Sequence, residues 1–262
     1  MRYTVNCSIV LPALPLLQRP AAAAAAGFDA VEFWWPFAEP VPADREVDAF
    51  VAAVADAGVT LTGLNFAAGD MPAGERGILS DPARSTEFAD SVAVAVGIGE
   101  RLGTLGFNAL YGNRRDDLDP VRQDETADAN LAMAAAAAAR IGAVALLEPV
   151  SGVEAYPLKT ADDAVAVLDR VGSPDLRLLL DVYHLAVNGD DPAAAIDRHA
   201  GRIGHVQIAD APGRGEPGTG TLPIHDLLAR VVAAGYRGPV SLEYSPATDD
   251  PFAWLAAART GA

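Results

Sequence analysis

Leu178-Leu179-Leu180-Asp181-Val182-Tyr183-His184 begins as an apolar run and breaks off in a carboxylate. That pattern decides the fold because the chain repeats it. Ala145-Leu146-Leu147-Glu148-Pro149 and Val240-Ser241-Leu242-Glu243 end in the same way, and His205-Val206-Gln207-Ile208 carries an amide in the corresponding place. Short, near-continuous apolar runs read as strands buried on both faces, the mark of a parallel sheet. Working outward from them, strands are predicted over 3–10, 30–35, 60–66, 105–110, 143–149, 176–182, 203–209 and 239–244. A helical window follows each, for example 44–57, 124–141 and 223–234. Gly27, Gly58, Gly142, Gly172 and Gly235 stand where several of these windows stop, and glycine accepts the left-handed conformation that ends a helix. Eight βα units predict an α/β fold of the closed (β/α)8 TIM barrel type. An open doubly wound sheet would carry a glycine-rich phosphate loop after its first strand; that position reads Ile9-Val10-Leu11-Pro12.

A length of 262 residues suits one such barrel, so a single domain over 1–262 is expected. No stretch reads as a linker. The alanine tracts at 21–26 and 134–139 fall inside helical windows, and alanine is the best helix former. The segment 9–26 imitates a secretory signal, but Pro12, Pro15, Arg19 and Pro20 interrupt it. A helix capped before Pro15 and ending at Gly27 is expected there instead. Cys7 is the one cysteine; no intrachain disulfide can form, which fits a reducing cytoplasm. The net charge of −16, from 35 acidic and 19 basic residues, repels nucleic acid and anionic lipid. No uncharged apolar run is long enough to span a membrane. The expected partner is a small molecule, with neither nucleic acid nor membrane, and homo-oligomers are compatible with the sequence.

In such a barrel, function sits where the strands end. Side chains alternate across a strand. With Leu147, Leu180, Val206 and Leu242 facing the helices, Glu148, Asp181, Gln207 and Glu243 face the mouth. Three carboxylates brought together repel unless protons or a cation intervene. Hard oxygen ligands without cysteine suit Mg2+ or Mn2+. One carboxylate at a strand end would read as a cap or a salt bridge; four oxygen-bearing residues on consecutive strands read as a site. His184 begins the loop above Asp181 and is expected to touch substrate. His205 lies one layer deeper than Gln207 and reads as a hydrogen-bonded core histidine. His199 and His225 fall on helices and read as surface residues.

These strand ends and their loops resemble the hydroxypyruvate isomerase family of xylose-isomerase-like barrels over nearly the whole chain. The matching stretches include Ala25-Ala26-Gly27-Phe28-Asp29-Ala30-Val31-Glu32-Phe33, Ala68-Gly69-Asp70 with Ala73-Gly74-Glu75-Arg76-Gly77, Glu148-Pro149 and Asp181-Val182-Tyr183-His184. Gly204-His205-Val206-Gln207-Ile208-Ala209-Asp210, Arg214-Gly215-Glu216-Pro217-Gly218-Thr219-Gly220 and Glu243-Tyr244 complete them. The resemblance implies metal positions at Glu148, Asp181, Gln207 and Glu243, with Glu148 and Glu243 as an acid–base pair. It implies conversion of hydroxypyruvate to 2-hydroxy-3-oxopropanoate (tartronate semialdehyde) through an enediol. His184, Arg214, Glu154 and Arg76 are the expected substrate contacts, the two arginines as grips on a carboxylate.

The sequence also departs from that pattern. Ser151 and Gly152 follow Glu148-Pro149 where the family has an Asn, and Glu154 stands in place of an Asp. Thr219-Gly220-Thr221 replaces Thr-Gly-Glu, and Ser245 replaces a Lys. The ligands and bases match while the pocket wall differs. A 2-oxo-tetronate isomerase or a ketose 3-epimerase would use the same metal and glutamates. A metal-dependent nuclease on a related barrel is disfavoured by the net charge and the sparse histidines. A catalytically silent sugar-acid binder is disfavoured because binding needs no second base.

Overall fold

The computed structural model describes residues 1–247 and 250–255. The far end of the expected 1–262 domain, with most of the window after the last strand, lies outside the described residues. Eight parallel strands close into a barrel in sequence order: β1 (Tyr3–Asn6), β2 (Ala30–Phe33), β3 (Thr60–Asn65), β4 (Gly106–Asn108), β5 (Val144–Leu147), β6 (Leu176–Asp181), β7 (Ile203–Ile208) and β8 (Val240–Leu242). The first and last strands pair, Tyr3 beside Val240. Around them run α1 (Cys7–Val10), α2 (Arg19–Ala25), α3 (Asp44–Asp56), α4 (Ser85–Leu102), α5 (Pro120–Ala139), α6 (Ala161–Val171), α7 (Val182–Val187), α8 (Pro192–His199) and α9 (Ile224–Ala233). No helix among the described residues is long and apolar enough to cross a membrane.

Local chemistry sets the helix limits. Thr160 caps α6, its hydroxyl accepting from Asp163 N while Asp163 reaches back to the Thr160 N–H; this reciprocal box satisfies two otherwise orphaned donors. Asp119 and Asp191 cap α5 and α8, each followed by a proline at the first helical position, where a missing N–H costs nothing. Gly172 ends α6 at φ 68°. Helix α5 carries the second alanine tract, and Ala134, Ala135, Ala137 and Ala138 are buried on it; small side chains let it lie close to the sheet.

The strands are shorter than the apolar runs. The first run, expected over 3–10, leaves the sheet at Asn6, whose side chain accepts from Ser8 N and starts the single turn α1. The helix expected from before Pro15 begins at Arg19, after a 3-10 turn over Leu16–Gln18. Pro15 holds extended backbone at ψ 143°, so the chain cannot enter the α-helix there.

The interior of the barrel is layered. Thr4 and Thr62, on strands separated by β2, join hydroxyls at 2.8 Å across the interior. Outside the sheet, Phe66 stacks on Phe107 and meets Phe88 edge-on, packing α4 against the barrel wall. The register sets Asp181 beside Gln207, two of the polar residues that end the apolar runs.

Candidate active site

Glu148, Asp181, Gln207 and Glu243 converge at the C-terminal mouth, each nearly fully buried. Oxygen atoms of Glu148, Asp181 and Glu243 and a ring nitrogen of His184 all lie within 4.8 Å of one another. Above them opens a cavity of about 880 Å3 whose lining includes Trp34, Arg76, Glu148, His184, Arg214 and Glu243.

Each side chain is held by something specific. Asp181 uses its two oxygens differently. Oδ1 caps α7, accepting from Tyr183 N at 2.8 Å and His184 N at 3.3 Å. Oδ2 turns to the site, buried and without a hydrogen-bond partner. Glu148 accepts from Asn108 Nδ2 at 2.6 Å. Glu243 Oε1 accepts from Asn6 Nδ2 and from Trp34 Nε1, both at 2.9 Å. Glu243 Oε2 meets Arg214 Nη2 at 2.5 Å. Gln207 points its amide nitrogen at Glu243 Oε1, 3.4 Å away, and leaves its buried Oε1 without a partner. Two orphaned buried oxygens beside two glutamates form a hard donor set, and a divalent cation fits it chemically.

The electrostatics agree. Burial, then the charges of Glu243 and Asp181, push the Glu148 carboxyl well above the usual carboxylate range. Burial and Glu243 push Asp181 up to about 8 against the pull of Arg214. Burial opposes the charge of Arg214, but Glu243, Asp181 and Glu148 together raise its pKa. Carboxyls that hold protons this firmly in an enclosed site exchange them readily for a cation.

His184 occupies the first turn of α7 and not the loop expected for it. Ser151 N donates to its Nδ1 at 3.0 Å, and Ser151 Oγ lies 2.7 Å from the same atom. A backbone donor at Nδ1 leaves the ring proton on Nε2. Burial, then Arg214 and Arg76, hold the pKa well below the ordinary histidine value, so the ring is neutral. Its Nε2 stands 3.7 Å from Glu148 and 3.8 Å from Asp181, as a hydrogen-bond donor facing the site.

Arg214 sits between Gly213 and Gly215 at φ 54° and stacks over Tyr183 at 5.3 Å. Its loop is tied down by Asp210, which accepts from Ala211 N, Gly218 N and Leu222 N. Arg76 lines the cavity and bonds only the carbonyls of Met71 and Glu75 among the described residues. Glu154, the fourth expected contact, is exposed on a turn and does not line the cavity. His199 is not the plain surface residue expected: its side chain is only 11% exposed and pairs with Asp162 at 2.5 Å. His225 is fully solvated, and His205 lies in the core against Glu32.

The xylose isomerase-like TIM barrel family matches residues 20–260. A Streptomyces coelicolor protein bearing a provisional hydroxypyruvate isomerase name is 52% identical, the alignment covering 100% of this chain and 98% of that one. The hydroxypyruvate isomerase of Escherichia coli is 32% identical, with 95% of each chain covered. The chain belongs to the hydroxypyruvate isomerase family. Within reach of it, the 2-oxo-tetronate isomerase of Cupriavidus necator is 35% identical over 97% of both chains. A solved Brucella melitensis barrel, titled a family 2 AP endonuclease, superposes with a TM-score of 0.88 at 32% identity and 98% coverage of each chain.

Asn6, Trp34 and Asn108 hold the two glutamates, and Ser151 holds His184; none was singled out for such a role from the sequence. A signal existed for Asn108, which ends Gly106-Phe107-Asn108 as Asp181 ends β6. Ser151 had none, since its contact joins the loop after β5 to the first turn of α7.

Proposed function

We propose that the chain is a metal-dependent isomerase of a small 2-oxo acid, converting hydroxypyruvate to 2-hydroxy-3-oxopropanoate. The observation that carries this reading is the pair Glu148 and Glu243, buried together in one cluster with Asp181 and His184. Two proton-transferring carboxylates on opposite flanks of one site are what a 1,2-proton shift needs. Glu148, Asp181, Gln207 and Glu243 would hold Mg2+ or Mn2+, which supplies Lewis-acid polarisation of the C2 carbonyl and offsets the clustered negative charge.

The residues then divide the work. One glutamate takes a proton from C3 as the C3–H electrons form the C2–C3 double bond, and the C2 carbonyl oxygen gains a proton to complete the enediol. The enediol loses its O3 proton, C3 becomes a carbonyl carbon, and the second glutamate gives C2 a proton. Net, one proton moves from C3 to C2 and one from O3 to O2. His184, neutral and with its proton on Nε2, donates to a substrate oxygen. Arg214 and Arg76 are the cations for the substrate carboxylate. Asn108, Asn6 and Trp34 keep the glutamate oxygens aimed.

A longer acid, 2-oxo-tetronate, is the second reading. The volume of the cavity above the cluster favours it, because a three-carbon acid fills little of that space. The net charge of −16 and a cluster with one histidine speak against nucleic acid as substrate, whatever the Brucella barrel is called. Parallel assays of the metal-loaded protein on hydroxypyruvate, 2-oxo-tetronate and free ketoses test the reading. Turnover of an acid, abolished by chelation and restored by Mn2+ or Mg2+, is expected. Turnover of ketoses alone, or full activity after metal stripping, would overturn it.

A further inference from the structure

Glu32 is a buried carboxylate beneath the site that the proposed chemistry does not use. It is the third residue of β2, Ala30-Val31-Glu32-Phe33, and does not line the cavity. The β2–β3 register shifts between Val31 and Glu32, so that Val31 pairs with Leu61 but Glu32 with Gly63. The residue skipped, Thr62, bonds Val31 O at 3.2 Å and stands 3.5 Å from Glu32 Oε1. Gly63 supplies room: a Cβ there would fall 2.9 Å from both Cγ and Cδ of Glu32, closer than side-chain carbons approach. A register shift and a glycine thus open a path for one side chain into the barrel interior.

Through that path Glu32 reaches β7, from which β1 and β8 separate it around the ring. Its Oε1 lies 2.8 Å from His205 Nε2. Its Oε2 lies 3.5 Å from Gln207 Nε2. Tyr236 OH flanks the far side of the His205 ring, 3.4 Å from Nδ1. Glu32 offers Gln207 only acceptor oxygens, as does Glu243 Oε1 on the other side. A primary amide between two carboxylates must turn its NH2 toward them. Its carbonyl oxygen is then the atom left over, and Gln207 Oε1 is the atom with no partner.

The geometry points to Glu32 as a positioning residue that fixes the orientation of the Gln207 amide, so that its oxygen and not its nitrogen is presented to the cation. It touches neither substrate nor metal. Gln207 is the one neutral member of the ligand set and the only one whose two terminal atoms differ, so it alone needs such a partner. Outer partners of this kind are commonly worth 10- to 100-fold in metal affinity. This role rests on the proposed cation site.

The test is Mn2+ titrated into metal-stripped protein, with free Mn2+ read by electron paramagnetic resonance and folding followed by thermal melts. Glu32→Gln can offer its NH2 to Gln207 and so lets the amide turn over. Glu32→Asp keeps the charge but falls a methylene short; it also carries the test if Glu32→Gln does not fold. Both should weaken Mn2+ binding about 10- to 100-fold. Exchanging the groups, Glu32→Gln with Gln207→Glu, should recover most of the affinity, because a carboxylate presents oxygen either way round. Wild-type affinity in both single variants would overturn the role. So would a loss in Glu32→Gln alone, which would mean that only charge matters, or an exchange that recovers nothing. A wild-type protein that binds no Mn2+ would instead overturn the cation site itself, and this role with it.

Discussion

Arg214 and Glu243 form an ion pair at 2.5 Å inside the carboxylate cluster, while the same guanidinium stacks over Tyr183. Arg76, at the other side of the mouth, pairs with no acid among the described residues. The two arginines should therefore respond differently to substitution. Arg76→Gln is expected to raise KM for a 2-oxo acid by about tenfold to a hundredfold, the usual worth of a hydrogen bond to a charged group. It should leave Mn2+ affinity unchanged. Arg214→Lys loses the planar fork and the stacking and should disturb both KM and Mn2+ affinity, since its partner Glu243 belongs to the proposed cation site. Steady-state kinetics beside metal titration separate the two; a wild-type KM in Arg76→Gln would remove it from the substrate contacts.

Glu148→Gln and Glu243→Gln keep the side-chain shape and an oxygen but lose the basic carboxylate. Each should cost about 10² to 10⁴ in turnover. The double variant should be little worse than the poorer single one, because one broken proton step already stops the reaction. Exchange of the C3 hydrogens of hydroxypyruvate with D2O assigns the roles: the variant that still exchanges retains the C3 base. Near-normal turnover in both single variants would leave the glutamates as ligands only.

Stability should depend on pH and on metal in opposite ways. Asp181 and Glu148 bind protons more tightly folded than unfolded. Between the ordinary carboxylate range and about 8, the folded metal-free chain holds more protons, so unfolding free energy falls as pH rises. The contribution is complete below the unfolded pKa and gone above the folded one. Melting temperature of the stripped protein is expected to fall from pH 5 to pH 8, and Asp181→Asn should flatten that slope. Mn2+ affinity should climb over the same interval, because metal and protons compete for the same oxygens. A stripped protein whose melting temperature rises steadily over this interval would contradict the pKa shifts.

Trp34 donates from Nε1 to Glu243 Oε1, which makes its indole a reporter. Metal added to the stripped protein should change the tryptophan emission, and Trp34→Phe should abolish most of that change while Trp35→Phe should not. A response that survives Trp34→Phe would place its source elsewhere.

Much of this was legible in the chain. All eight strands fall within the predicted apolar runs, because a strand buried on both faces leaves little room for polar residues. Glu148, Asp181 and Glu243 stood out because a carboxylate ending such a run is costly without a purpose. The strand limits were less visible: the last residues of a run, as at Asn6, leave the ladder to start a turn. Asn108 and Trp34 were missed as supports because a neutral side chain at a strand end costs little and could serve equally well as a cap or as packing. Glu154 misled because position along the sequence does not say whether a loop residue leans over the mouth or away from it. The His184 ring could be assigned a place but not a tautomer, since that is set by Ser151 from the loop after β5.

The divided use of Asp181 limits how this enzyme can change. One oxygen begins α7 and the other faces the donor set, and His184 rides on the same first turn. Asn could keep the cap but would weaken the cation's hold; Glu could keep the charge but carries its oxygens too far out to cap. Neither alternative satisfies both demands, so mutation at this position has almost nowhere to go. Novelty in substrate choice must come from the cavity wall, where Trp35, Phe37 and Met71 carry no such double obligation. The base of the cavity acts as a ratchet, and the rim is where descendants of this chain can diverge.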